Sequence, residues 1–149
     1  MVVHLHERHH IIHGDIKPSN LLLDGSDARL CDFDTAAWMT ETIFPTRFSI
    51  RYVSPYRLVS DRENPRPLIP EEDLYAAGIT VWEIFVGETP FAPYVSQDAE
   101  FELWDQIVAR PKLDVDRIEF EEARLYVKEC MSIECLNVAQ SVTQPEGHS

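Results

Sequence analysis

Four residues early in this 149-residue chain have the types and spacing of a phosphoryl-transfer site: Asp15, Lys17, Asn20 and Asp32. Three of them lie in His13-Gly-Asp-Ile-Lys-Pro-Ser-Asn20, and the fourth follows twelve residues later in Asp32-Phe-Asp34. One carboxylate, Asp15, suits the task of accepting the proton of an attacking hydroxyl, and the Lys17 ammonium suits a transferring phosphoryl group. The Asn20 amide oxygen and the Asp32 carboxylate are hard oxygen donors of the kind that hold magnesium. The alternative for Asn20 and Asp32 is structural hydrogen bonding without a metal.

These groups act together only if the chain converges them. Leu21-Leu-Leu23 and Ala28 to Cys31 read as short strands, and Asp24-Gly25 between them is a hairpin signal. Such a hairpin places Asn20 and Asp32 at neighbouring strand ends. Val2 to Arg8 reads as the end of a helix leading into the site. Residues 34–57 lack sustained periodicity, and residues 58–70, with Pro65, Pro67 and Pro70, read as a connecting loop. Pro70-Glu-Glu-Asp73 opens a helix, with its acids at the positive end of the dipole. Gly87 and Pro90 end that helix, and its apolar composition predicts burial. Residues 97–109 form another expected helix, and Phe120, Ala123, Val127 and Cys130 recur at the spacing of one more. The packed domain is expected over residues 1–132, with a polar tail over 133–149.

Composition narrows the partners. The net charge is −13, and it is uneven: residues 1–66 hold eight Lys/Arg and nine Asp/Glu, residues 67–149 five and seventeen. That balance argues against nucleic acid and reads either as a well-solvated surface or as a match for a basic protein or peptide. No signal-peptide run opens the chain, and the most apolar window, Leu74 to Val86, is too short to span a bilayer. No membrane association is therefore expected. The cysteines, Cys31, Cys130 and Cys135, are odd in number, which points to reduced thiols and a cytoplasmic or nuclear setting. The histidines His4, His6, His9, His10 and His13 lack the spacing of a metal site.

The ordered pieces resemble the protein kinase family, and within it the C-terminal lobe. His13 to Asn20 looks like the catalytic loop, Asp32-Phe-Asp34 the metal-binding triplet, and Arg51-Tyr-Val-Ser-Pro-Tyr56 the end of the activation segment. Asp73-Leu-Tyr-Ala-Ala-Gly78-Ile-Thr-Val-Trp-Glu83 is similar to the central buried helix, and Gly87-Glu-Thr-Pro-Phe91 to the turn after it. The resemblance implies a mainly α fold with a few short strands (α+β), and serine/threonine specificity from Lys17-Pro-Ser-Asn20. It implies catalytic roles for Asp15 and Lys17, and a hydroxyl beside them at Ser49, three residues before Tyr52, for which an ordinary loop serine is the alternative. It also implies magnesium at Asn20 and Asp32, ATP at Lys17, Asn20, Leu22 and Asp32, and structural roles for His13, Phe33, Asp73 and Gly78.

The departures from the family pattern are as telling. Gly14 replaces the Arg that would pair with a phosphorylated loop, Asp34 replaces the glycine after Asp-Phe, and Tyr56 replaces the Glu of Ala-Pro-Glu. No Lys or Arg follows Lys128, so the usual partner of that Glu is missing too. No G-x-G-x-x-G occurs among the 149 residues, nor does a Val-Ala-x-Lys strand before His13. The chain therefore reads as a large lobe without a small lobe, with weak or absent binding of Mg2+ and ATP. Three expectations follow: a kinase fragment whose full form transfers phosphate to protein hydroxyls, a pseudokinase that binds a protein partner, or a decaying sequence. Leu21 to Leu23 and Phe33 would leave an apolar face open to a partner or to self-association.

Overall fold

The computed structural model describes residues 1–58, 65–92, 113–133 and 136. Its frame is the helix α3, Pro70–Val86. Pro70 starts it with a preset φ, and Gly87 ends it in the left-handed region (φ 75°), where its N–H reaches Glu83 O at 2.8 Å. One face of α3 carries Ala76 and Ala77, which pack on Val2 and Ile16 under the candidate site. Ile79 joins Val53, Leu58 and Phe91. Trp82 joins Ile118, Ala123 and Val127, and its indole N–H donates to Asp114 O at 2.9 Å. One helix thus belongs to three clusters, so whatever is attached to it is held firmly.

Two short elements flank the start of the chain. Helix α1, Val2–His4, continues as a wider π-helical turn over Leu5–His9 and stops at His10, whose φ is 55°. The first sheet pairs β1, Ile11–Ile12, antiparallel with β4, Ala37–Trp38, in the register Ile11↔Trp38. The second is the hairpin of β2, Leu21–Asp24, and β3, Asp27–Leu30, in the register Leu21↔Leu30. Asp24 pairs with Asp27, so the turn residues are Gly25 and Ser26. The turn is one residue later than the Asp24-Gly25 signal suggests, because Asp24 still belongs to the ladder. A four-residue helix α2, Pro55–Leu58, precedes α3.

Helix α4, Glu121–Met131, lies across α3 and buries Ala123, Val127 and Cys130. The closest approach is at Gly78, where an added Cβ would lie 2.5 Å from Cys130 Cβ and 2.9 Å from Met131 Cε. That is the physical reason for the structural role expected of this glycine: a side chain there has no room.

The fold class is the one expected from the sequence, helices with few and short strands. Two details differ. Phe120 caps α4 and is exposed, stacked on Phe85 at 6.0 Å, so it is not part of the buried stripe. Ile84 and Phe85 are likewise exposed, so α3 is buried at its start and open at its end. The helix expected over 97–109, Cys135, and all but Ile133 and Leu136 of the 133–149 tail lie outside the described residues. Leu136 itself is buried.

Candidate active site

The loop between β1 and β2 is held from below by one carboxylate. Asp73, in the first turn of α3 and 1% exposed, accepts the His13 N–H at 2.7 Å on Oδ2 and the Gly14 N–H at 2.8 Å on Oδ1. It also accepts from His6 Nε2 at 2.8 Å. Two consecutive backbone amides are thereby satisfied where no secondary structure could do so. His13 completes the brace. Its Nδ1 accepts the Asp15 N–H at 3.3 Å, so the ring proton sits on Nε2, which donates to Cys31 O at 3.0 Å. Its ring meets Phe33 edge-on, centroids 4.8 Å apart.

Gly14 explains itself by space. Its φ is +81°, and a Cβ there would lie 2.8 Å from Thr35 O and 3.2 Å from Leu68 Cδ2. The Thr35 hydroxyl donates to His13 O at 3.0 Å. The segment after Asp32 therefore packs directly on the position where the family pattern places an arginine.

Above the loop the reactive groups meet. Lys17 Nζ lies 2.7 Å from Asp15 Oδ2 and donates to Ser49 Oγ at 2.8 Å. Asn20 Nδ2 donates to Asp15 O at 2.8 Å and to Asp15 Oδ2 at 3.3 Å, which leaves the Asn20 amide oxygen as the atom for a cation. Asp15 Oδ1 is buried and has no hydrogen-bond partner among the described residues. Burial pushes the Asp15 carboxyl up, but hydrogen bonds from Lys17, Ser49 and Asn20 and the Lys17 charge together hold it below its ordinary value. The result is an ionised carboxylate whose donors gather on Oδ2.

The hairpin brings Asn20 and Asp32 to one end, as the strand pattern requires. Cys31 N–H, beside Asp32, donates to Asn20 O at 3.0 Å. Asp32 is exposed, sits at φ 62°, and its Oδ1 accepts the Asp34 N–H at 3.4 Å. Asp34 does not complete a carboxylate cluster: among the described residues no three His, Cys, Asp or Glu side chains converge on a metal-sized site. Asn20 and Asp32 still supply two hard oxygen donors, which fit magnesium. Leu22 stands on the open face of β2 and is 57% exposed; Leu23 is 82% exposed and Phe33 45%.

Several site residues are not visible in the sequence. Arg57, beside Tyr56, forms a buried ion pair with Glu72 at 3.3 Å. By sequence Glu72 is one of the dipole-facing acids; burial instead pushes its carboxyl up to about 7, against the pull of the Arg57 charge. Tyr52 donates its hydroxyl to Glu83 Oε2 at 2.5 Å, and burial followed by that carboxylate raises the phenol above its ordinary range. The signal available for Glu72 was its place one residue before Asp73, on the same inward-facing first turn.

The sequence profile described as "Protein kinase domain" matches residues 1–146. The chain belongs to the protein kinase family. It is 32% identical over 117 residues to mitogen-activated protein kinase kinase 2 of Arabidopsis thaliana, covering 74% of this chain and 31% of that protein. It is 36% identical over 91 residues to the dual specificity mitogen-activated protein kinase kinase jkk-1 of Caenorhabditis elegans, covering 59% and 20%. Against the human dual specificity mitogen-activated protein kinase kinase 7 the identity is 29% over 138 residues, covering 87% and 31%. The chain thus spans less than a third of the length of these relatives. No helix among the described residues is long and apolar enough to cross a membrane.

Proposed function

We propose that this chain is the large-lobe part of a serine/threonine-type protein kinase, whose extended form transfers the γ-phosphoryl group of ATP to a protein hydroxyl. The observation that carries the reading is Asp15: ionised, with Oδ1 unpartnered, and flanked by a lysine clasped to Ser49. Asp15 takes the proton of the substrate hydroxyl as its oxygen bonds to phosphorus and the bond to ADP breaks. Lys17 donates to a phosphoryl oxygen. Asn20 and Asp32 would hold the cation, and Leu22 would offer an apolar surface to the nucleotide base. Magnesium, when bound, supplies charge neutralisation at the phosphates. Serine or threonine is favoured as acceptor by the resemblance of Lys17-Pro-Ser-Asn20 to the serine/threonine pattern, with which the Lys17–Ser49 contact agrees, and the relatives named as dual specificity extend the candidate acceptors to tyrosine.

Positioning is most of catalysis in phosphoryl transfer, so the 149-residue chain alone is expected to be inactive. An N-terminally extended form carrying a glycine-rich loop and a lysine-bearing strand should label a basic protein substrate from radioactive ATP and lose that labelling on Asp15→Asn. Labelling that survives Asp15→Asn would remove Asp15 from the reaction. For the chain alone, a thermal-shift series should show a small effect of magnesium and no synergy with ATP. A large shift seen only with both, and removed by Asp32→Ala, would mean that these residues bind Mg-ATP unaided.

The exposed Leu22, Leu23 and Phe33 favour a second reading, a pseudokinase that binds a protein partner, a basic one given the −13 charge, or a second copy of itself. Its setting would be the cytoplasm or nucleus. Light scattering decides on self-association: a monomer at high concentration that binds no apolar dye speaks against an open apolar face.

A further inference from the structure

Ser49 sits on a stretch, residues 41–50, that contains no helix or strand, yet its hydroxyl is delivered to Lys17 at 2.8 Å. Something else must hold it. Arg57 reaches back over that stretch: Nη2 donates to Pro45 O at 3.3 Å, and the guanidinium lies 5.9 Å from the Phe48 ring centroid. Its other arm donates to Glu72 Oε2 at 3.3 Å. Glu72 is in turn fixed by Ser54 Oγ at 3.3 Å and by the Ile69 N–H at 3.4 Å, and it stands on the first turn of α3 beside Asp73. Asp15, Ser49, Arg57 and Glu72 all line one cavity of about 20 Å³.

A buried ion pair of this kind adds little net stability over an apolar replacement, so stability alone does not account for it. Its distinctive property is geometric. A planar guanidinium presents its donors to a carbonyl and a carboxylate in a fixed fork, a geometry the compact ammonium of a lysine lacks. The position where the family pattern carries Ala-Pro-Glu is filled here by Ser54-Pro55-Tyr56, and the next residue, Arg57, pairs with Glu72 on α3.

We propose that Arg57, held on α3 by Glu72, is a positioning residue that fixes Pro45 and Phe48 and thereby sets Ser49 on Lys17 beside Asp15. This deepens the kinase reading and rests on it for its purpose, since the arrangement serves recognition of an acceptor hydroxyl. The same first turn of α3 then orients both sides of the site: Asp73 the loop with the base, and Glu72, through Arg57, the segment that faces it.

The test uses the 149-residue chain with Arg57→Met, Ser49→Ala and both together. Amide exchange is followed at Tyr52, whose N–H bonds Ser49 O, at Leu68, whose N–H bonds Ile43 O, and at Val127 in α4 as a reference. Arg57→Met should speed exchange at Tyr52 and Leu68 at least tenfold more than at Val127. Ser49→Ala should raise the unfolding constant several-fold in the parent chain and less than twofold beside Arg57→Met, because the contact it removes is already lost. Uniform acceleration at all three amides, or additive effects of the two substitutions, would overturn the proposal. Should Arg57→Met fail to fold, Arg57→Lys keeps the charge and loses one arm; it should loosen Tyr52 selectively, and a uniform change again overturns the proposal. No arm of the test measures phosphoryl transfer. An inactive protein leaves the inference standing, and an unmoved Ser49 sinks it even in an active kinase.

Discussion

Two aspartates, one beneath the loop between β1 and β2 and one within it, are treated in opposite ways. Asp73, below it, is 1% exposed and accepts from two backbone amides and an imidazole. Asp15, within it, keeps one oxygen buried and without a donor. A fully partnered carboxylate holds backbone; an under-partnered one retains a lone pair for a proton. The unsatisfied oxygen costs stability, and such costs persist where a rigid support surrounds them. Here the support is α3, which carries Asp73 and Glu72 and belongs to three hydrophobic clusters.

The hardest blow to this contrast is Asp73→Ala. It strands the His13 and Gly14 amides and the His6 ring in a buried place, and removing one partner of such a network costs about 3–5 kcal/mol. Urea unfolding should show a loss of that size. A loss under about 1 kcal/mol, within the range of an ordinary surface change, would mean that the loop is held by something else.

Glu72 allows a test by pH. In the unfolded chain its carboxyl loses the proton near 4.5; in the folded chain burial delays this to about 7. Between those values the folded state binds the extra proton. Its contribution is therefore fully present below pH 4.5 and is lost as the pH rises through 7. Each tenfold change in proton affinity corresponds to about 1.4 kcal/mol, so the whole window amounts to about 3 kcal/mol at most. Glu72→Gln should remove that slope, read as the difference in stability between variant and parent from pH 5 to 8. A constant difference across that range contradicts a raised Glu72.

A smaller effect sharpens the claim that the support is rigid. Gly78→Ala gains about 1 kcal/mol of helix propensity but drives a Cβ into Cys130, and overpacking costs about 1–3 kcal/mol. The net should be a loss of about 1 kcal/mol, partly restored by Cys130→Gly. A gain in stability on Gly78→Ala would show that α3 and α4 yield easily.

What is legible in the sequence follows the range of the signals. Asp15, Lys17, Asn20 and Asp32 stand out as candidates through spacing within twenty residues, and the hairpin and both ends of α3 through Gly and Pro chemistry. Asp73 is placed by resemblance. Arg57 and Glu72 are not, because they pair across fifteen residues with no periodic trace. His6 and Asp73, 67 residues apart, are equally silent. The exposure of Phe120 depends on its being the cap of α4 and not a member of it, a difference of one residue that helical spacing alone does not resolve.

The contrast between the two carboxylates is tested most directly by equilibrium denaturation of Asp15→Asn and Asp73→Asn side by side in one buffer. Both changes keep the shape of the side chain and remove a charge. The account predicts that Asp73→Asn is destabilised by several kcal/mol, because a neutral amide accepts through one oxygen where the carboxylate used two. It predicts that Asp15→Asn loses clearly less, about 1 kcal/mol, since only its Oδ2 is bonded in the fold, to the part-exposed Lys17 and to Asn20. Equal losses in the two variants would contradict it.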